Sequence, residues 1–93
     1  MTIIHNATDD HIGENLKIED VFIVKFDIVD SKYDKYINTL DIKVVNITDE
    51  EIISFYEIDT IPTINIYKNR NLIEQIEGYI CKTELIKILG NNM

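Results

Sequence analysis

Few residues in this chain have side chains capable of chemistry, and their spacing limits what they can do. Cys81 is the single cysteine among 93 residues. Thiol–disulfide exchange needs one thiolate to attack and a second thiol to resolve, so the cycle cannot close within one molecule. Cys81 falls at the expected start of a helix with Glu84 three residues on, where a thiolate can be stabilised and react. The ordinary role at such a position is a small, partly buried cap residue. Ser31 and Asp34 also stand three apart. A serine hydroxyl becomes a nucleophile only beside a base, and the histidines, His5 and His11, sit in a different part of the expected fold. The spacing suits a helix start, with Ser31 as N-cap and Asp34 complementing the helix dipole. Asp27, Asp30 and Asp34 offer single carboxylates without a glycine-bearing loop, a poor calcium or magnesium cage, and read as a solvated acidic rim. Neither histidine has ligand-like spacing with cysteine or acid, so no metal site and no cofactor are expected.

The elements that must position these residues follow from apolar periodicity and caps. Ile3 to His5 reads as a short edge strand. Thr8-Asp9-Asp10 caps a helix running to about Leu16. Val21 to Phe26 (VFIVKF) is nearly continuous in β-branched and aromatic residues, as in a central strand covered on both faces. Between Asp27 and Leu40, Tyr33, Tyr36, Ile37 and Leu40 recur at i, i+3, i+4, i+7 and predict a helix face. Ile42 to Ile47 is a second strand. Thr48 with Glu51 forms a capping box for a helix presenting Ile52, Ile53, Phe55 and Tyr56 and ending near Ile58. Thr63 to Lys68 alternates with period two, Asn69-Arg70-Asn71 makes a hairpin turn, and Leu72 to Gly78 returns. A last helix starts at Cys81 or Lys82, faces the core with Leu85, Ile86 and Leu89, and ends at Gly90. The order β-α-β-α-β-α-β-β-α predicts an α/β fold with a central mixed sheet and helices on both faces.

Composition sets the outer bounds. The length allows a single domain spanning residues 1–93. A formal net charge of −8 repels phosphate backbones and anionic lipid, so neither nucleic acid nor a membrane is expected as a partner. No apolar run is long enough to span a bilayer, and MTIIHNATDD lacks the basic start and apolar stretch of a secretory signal. With one cysteine, the expectation is a soluble protein of the reducing cytoplasm. Frequent Ile, Asn and Lys with little Ala reflect an AT-rich genome, such as that of a virus, a parasite or an AT-rich bacterium.

IIHNATDD, VFIVKFD and TIPTINIYKNRNLIEQIEGYICKTELIKIL together resemble, along most of the chain, the first strand, the central strand and the C-terminal half of thioredoxins. Thr60-Ile61-Pro62-Thr63 is the most specific part. The resemblance implies a thioredoxin fold, with Pro62 in cis and facing the position of the redox site. It also places Ser31 and Asp34 at the two cysteine positions, with Lys32-Tyr33 for Gly-Pro. Lys25 stands where the family has a buried acid, and Asp27 and Asp30 where it has flanking tryptophans. The segment after Ser31 is shorter by about ten residues, which at ~1.5 Å per residue removes about 15 Å of the second helix.

The resemblance therefore implies a scaffold without its redox chemistry, and a thioredoxin-type disulfide reductase is not expected. In the family an extended peptide lies along the loop before the cis proline, pairing with its backbone as in strand addition, and that needs no cysteine. The residues placed at such a groove are Thr60, Ile61 and Pro62, with Ser31, Lys32 and Tyr33 opposite and Gly78 and Tyr79 flanking. Tyr33 is placed at its mouth. The expected partner is a protein or extended peptide. Two alternatives stand beside this reading: an assembly subunit that forms homo-oligomers or joins a larger complex, and a degenerate oxidoreductase using Cys81 with an external thiol.

Overall fold

The computed structural model describes residues 3–4, 9–28, 32–40 and 42–91. Among the described residues, five strands form one sheet in the order β1-β3-β2-β4-β5: β1 (Ile3–Ile4), β2 (Val21–Phe26), β3 (Lys43–Ile47), β4 (Thr63–Lys68) and β5 (Asn71–Glu77). β1 and β2 run parallel to β3, whereas β4 is antiparallel to both β2 and β5. The fold is the α/β thioredoxin arrangement, with helices α1 (Asp9–Ile18), α2 (Glu50–Phe55) and α3 (Lys82–Asn91).

β2 lies at the centre, and its side chains divide the core in two. Ile23 pairs with Val44 and Ile66, and this face is covered by Tyr33, Tyr36, Ile37 and Leu40 together with Leu85 and Leu89 of α3. Phe22, Val24 and Phe26 pack on the other face with Ile12 of α1 and Ile53 of α2. Each such side chain fully withdrawn from water contributes roughly 1.5–3 kcal/mol, which is why the unalternating VFIVKF run settles at the centre of the sheet.

Several local expectations are corrected. Among the described residues of the segment 27–40 there is no α-helix, but there are two 3-10 helices, Lys32–Lys35 and Ile37–Thr39. The amides of Tyr36, Thr39 and Leu40 reach back three residues, to the carbonyls of Tyr33, Tyr36 and Ile37. Residues three apart share a face in either helix type, so all four predicted core residues are buried although the winding differs. α1 continues beyond Leu16 to Ile18; Thr8 and His5 lie outside the described residues. α2 is capped by Asp49 rather than Thr48: Asp49 is extended and its carboxylate accepts from the Glu51 amide at 2.8 Å. Phe55 is exposed, because it stands two residues, or about 200° at ~100° per residue, around the helix from Ile53, the residue of α2 that turns fully inward. In α3, Ile86 is half exposed while Ile88 packs on the core, and the helix passes Gly90 to end at Asn91. The hairpin closes in two residues, Asn69 (φ 51°) and Arg70 (φ 73°); both lie in the left-handed region, as a tight turn matched to strand twist requires.

Candidate functional site at the Pro62 edge

The antiparallel register of β2 and β4 sets Phe26 opposite Thr63, so the next residues outward, Asp27 and Pro62, come together at one end of the sheet. The Ile61–Pro62 peptide bond is cis. The Pro62 carbonyl accepts from the Gly78 amide at 2.8 Å, extending the β4–β5 ladder by one rung. Gly78 has φ 82°, a left-handed conformation that glycine adopts without steric cost. The Thr63 hydroxyl donates to the Thr60 carbonyl and ties the loop into a turn. Thr60 and Ile61 face solvent, Ile61 at 43% exposure. The backbone N–H and C=O of Ile61 make no hydrogen bond to any described residue.

Across from this loop stand Lys32, Tyr33 and Tyr36 of the 3-10 segment. Tyr33 is a correction: expected at the mouth of a groove, it is fully buried, at 0% exposure. Its hydroxyl donates to the Gly78 carbonyl and accepts from the Ile80 amide, both at 3.0 Å. Tyr36 donates to the Ile80 carbonyl at 2.8 Å. The two phenols thus fasten the strand-to-helix connection 78–80, which would otherwise bury unpaired backbone. Burial pushes the Tyr33 hydroxyl above its ordinary 10.0, against the lowering effect of the Ile80 amide. Burial first, and the neighbouring Tyr33 and Tyr79 next, push Tyr36 up as well. The Tyr79 ring centroid lies 4.8 Å from that of Tyr33 and its ring is 43% exposed. The Lys32 ammonium sits 6.0 Å from the Tyr79 centroid, at the outer reach of a cation–π contact.

Beneath the edge is a charge pair that motif reading did not single out. Lys25 is 1% exposed and Asp27 3%, so Asp27 is not part of a solvated rim. Asp27 directly follows β2, its amide still donating to the Ile47 carbonyl; residues two apart in extended backbone point to one face, and the Lys25 ammonium lies 4.0 Å from Asp27 Oδ2. Asp27 Oδ1 accepts from the Ile28 amide at 2.7 Å, while Oδ2 has no hydrogen-bond partner among the described residues. A lysine inside an otherwise apolar central strand was the available signal, because a charge there needs a partner.

The fold therefore brings Lys32, Tyr33, Pro62, Gly78 and Tyr79 into contact, with Thr60 and Ile61 adjoining them. Ser31 and Asp30 lie outside the described residues, and Asp34 falls within the first 3-10 helix. Cys81 is free and exposed rather than partly buried; its carbonyl accepts from the Leu85 amide at 3.1 Å, the N-cap position of α3. Among the described residues, no helix is long and apolar enough to cross a membrane.

No protein-family model matches the sequence, and no curated protein sequence matches it. Solved structures do. Thioredoxin from Fasciola hepatica is similar at a TM-score of 0.75 and 13% identity, covering 100% of each chain. Mitochondrial thioredoxin 3 from Saccharomyces cerevisiae, in its oxidized form, gives 0.74 and 20% identity over 98% of this chain and 94% of its own. Thioredoxin f2 from Chlamydomonas reinhardtii gives 0.73 and 16% over 94% of both. At these identities the likeness is one of fold: the chain is built as a thioredoxin is built, and its single cysteine gives no support to reductase activity.

Proposed function

Taking the thioredoxin fold as premise, we propose that this protein is a redox-inactive binding module that holds an extended segment of another protein against the loop preceding Pro62. The observation that carries the reading is Ile61: an exposed apolar side chain on a backbone whose N–H and C=O have no partner among the described residues. A peptide laid beside it satisfies both groups in the manner of an added strand. Tyr79 supplies a half-exposed aromatic surface next to Gly78, and Lys32 a cation on the same side. Tyr33 acts from beneath, holding Gly78 and Ile80 in place rather than touching the ligand.

The test is titration of isotope-labelled protein with short extended peptides, read by backbone chemical shifts. Shifts centred on Thr60, Ile61, Gly78, Tyr79 and Lys32, lost in Ile61→Asp at unchanged melting temperature, are the expected result. Shifts centred on β1 or the outer face of α3 would move the binding surface elsewhere and defeat the proposal.

A further inference from the structure

The acids of this chain are unevenly distributed. From Thr48 to Tyr67 there are five, Asp49, Glu50, Glu51, Glu57 and Asp59, and no Lys, Arg or His. All five are exposed. Among them stands Phe55, 74% exposed, the most exposed of the large apolar side chains described. α2 already anchors itself through Ile53, with Ile52 and Tyr56 in support, so Phe55 is not needed by the core.

Ring contacts locate Phe55 relative to Pro62. Phe55 stands edge-on to Tyr56, centroids 5.5 Å apart. Tyr56 packs on Phe26 at 5.6 Å, and Phe26 is opposite Thr63. The outer face of α2 therefore lies at the Pro62 end of the sheet, and Glu57, Asp59, Thr60 and Ile61 connect the two along an exposed path.

We infer that the segment held at the Pro62 loop is basic: it continues over α2, covers Phe55 with an apolar side chain and sets Lys or Arg against the acids. This rests on the function proposed above. Charge complementarity selects the occupant. A second copy of a chain carrying −8 brings like charge to a single-sign surface, whereas a cationic segment is drawn in by it. Phe55 supplies the apolar contact at which binding energy concentrates, and the acids form its rim.

Two fluorescein-labelled extended peptides test the inference by anisotropy. They share their Ile and Leu positions and differ in carrying Lys or Ser between them. The variants are Phe55→Ser and Glu57→Gln/Asp59→Asn. A charge-matched control is Glu19→Gln/Asp20→Asn; the Asp20 carbonyl accepts from the Asn69 amide, beyond the far end of six-residue β4, about 20 Å from Pro62 at ~3.3 Å per residue. The Lys peptide is expected to bind at least about tenfold tighter than the Ser peptide, and to lose about tenfold on Phe55→Ser. Its salt dependence flattens in Glu57→Gln/Asp59→Asn and not in the control. Equal binding of both peptides, abolished by Ile61→Asp, would leave the Pro62 reading standing and overturn this one. Lys-peptide binding indifferent to Phe55→Ser, or weakened as much by the control, is general charge attraction and also overturns it. Binding of neither peptide counts against both.

Discussion

Two regions meet at the Pro62 edge, and their polar groups are placed in opposite ways. The hairpin side, residues 60–80, joins a cis Ile61–Pro62 bond and a paired Pro62 and Gly78 to an exposed Ile61 whose backbone groups have no partner among the described residues. The facing segment, 32–40, holds no α-helix. It is wound into two 3-10 helices, and it is tied to the hairpin side by two phenols. Polar groups can serve a ligand or serve the fold; on the proposed reading the open backbone of Ile61 does the first, and the phenols of Tyr33 and Tyr36 do the second. Tyr33 and Tyr36 have their hydroxyls satisfied internally and their rings buried, so that side is structural. The loop at Thr60–Ile61 is the side left open.

The comparison can be broken most severely at its base. Lys25→Met leaves the Asp27 carboxylate buried without its counter-charge and is expected to cost about 3–5 kcal/mol in urea unfolding, while Lys25→Met/Asp27→Leu recovers most of that loss. A loss under ~1 kcal/mol for the single variant would mean that the pair does not support the edge.

Tyr33→Phe comes next. It keeps the ring and strands the Gly78 carbonyl and Ile80 amide, at an expected cost of about 1–3 kcal/mol. Amide exchange should accelerate at Ile80 before it does in β2. If stability and exchange are untouched, the phenols are not a clamp.

The same clamp should respond to pH. Tyr33 and Tyr36 titrate above the ordinary 10.0 when folded. The folded state therefore favours their protonated forms. Their contribution is fully present below the unfolded value near 10 and is lost as pH rises through the folded values. Urea midpoints should fall above about pH 10, and Tyr33→Phe/Tyr36→Phe should flatten that fall. An identical fall in the double variant would assign it to other groups.

The smallest effects lie outside the charge pair and the phenol clamp. Arg70→Gly relieves a left-handed residue at the far hairpin turn, should stabilise by about 1 kcal/mol, and should leave peptide binding unchanged. Cys81→Ser removes an exposed thiol and should alter stability by less than ~0.5 kcal/mol. If Cys81→Ser instead abolished a thiol-dependent activity supported by an external thiol, the binding reading would give way to chemistry.

How much was legible from the residues depends on the range of the interaction involved. Val21–Phe26 and Thr63–Lys68 were readable to the residue, because composition and alternation report burial directly along a strand. The turn expected at Asn69-Arg70-Asn71 was readable in place because its conformation is local, although it closes in two residues and Asn71 already belongs to β5. The winding of residues 32–40 was not, since i, i+3 spacing is shared by both helix types. The identity of the α2 cap slipped by one residue for a similar reason: Thr48 and Asp49 are both competent caps, and packing chose between them.

At the site the division is sharper. The sequence alone determined the absence of a second thiol, the excess of acid and the presence of an Ile-Pro-Thr turn, since these are matters of which atoms the chain contains and their immediate neighbours. Only the tertiary structure decided that Tyr33 is a buried clamp rather than a groove residue. Its partners, Gly78 and Ile80, are more than forty positions away, and no local pattern encodes a hydrogen bond across that distance. The same holds for Asp27, whose burial depends on the strands and helices packed around β2, and for Phe55, left outside because α2 packs through Ile53 on the opposite side of the helix.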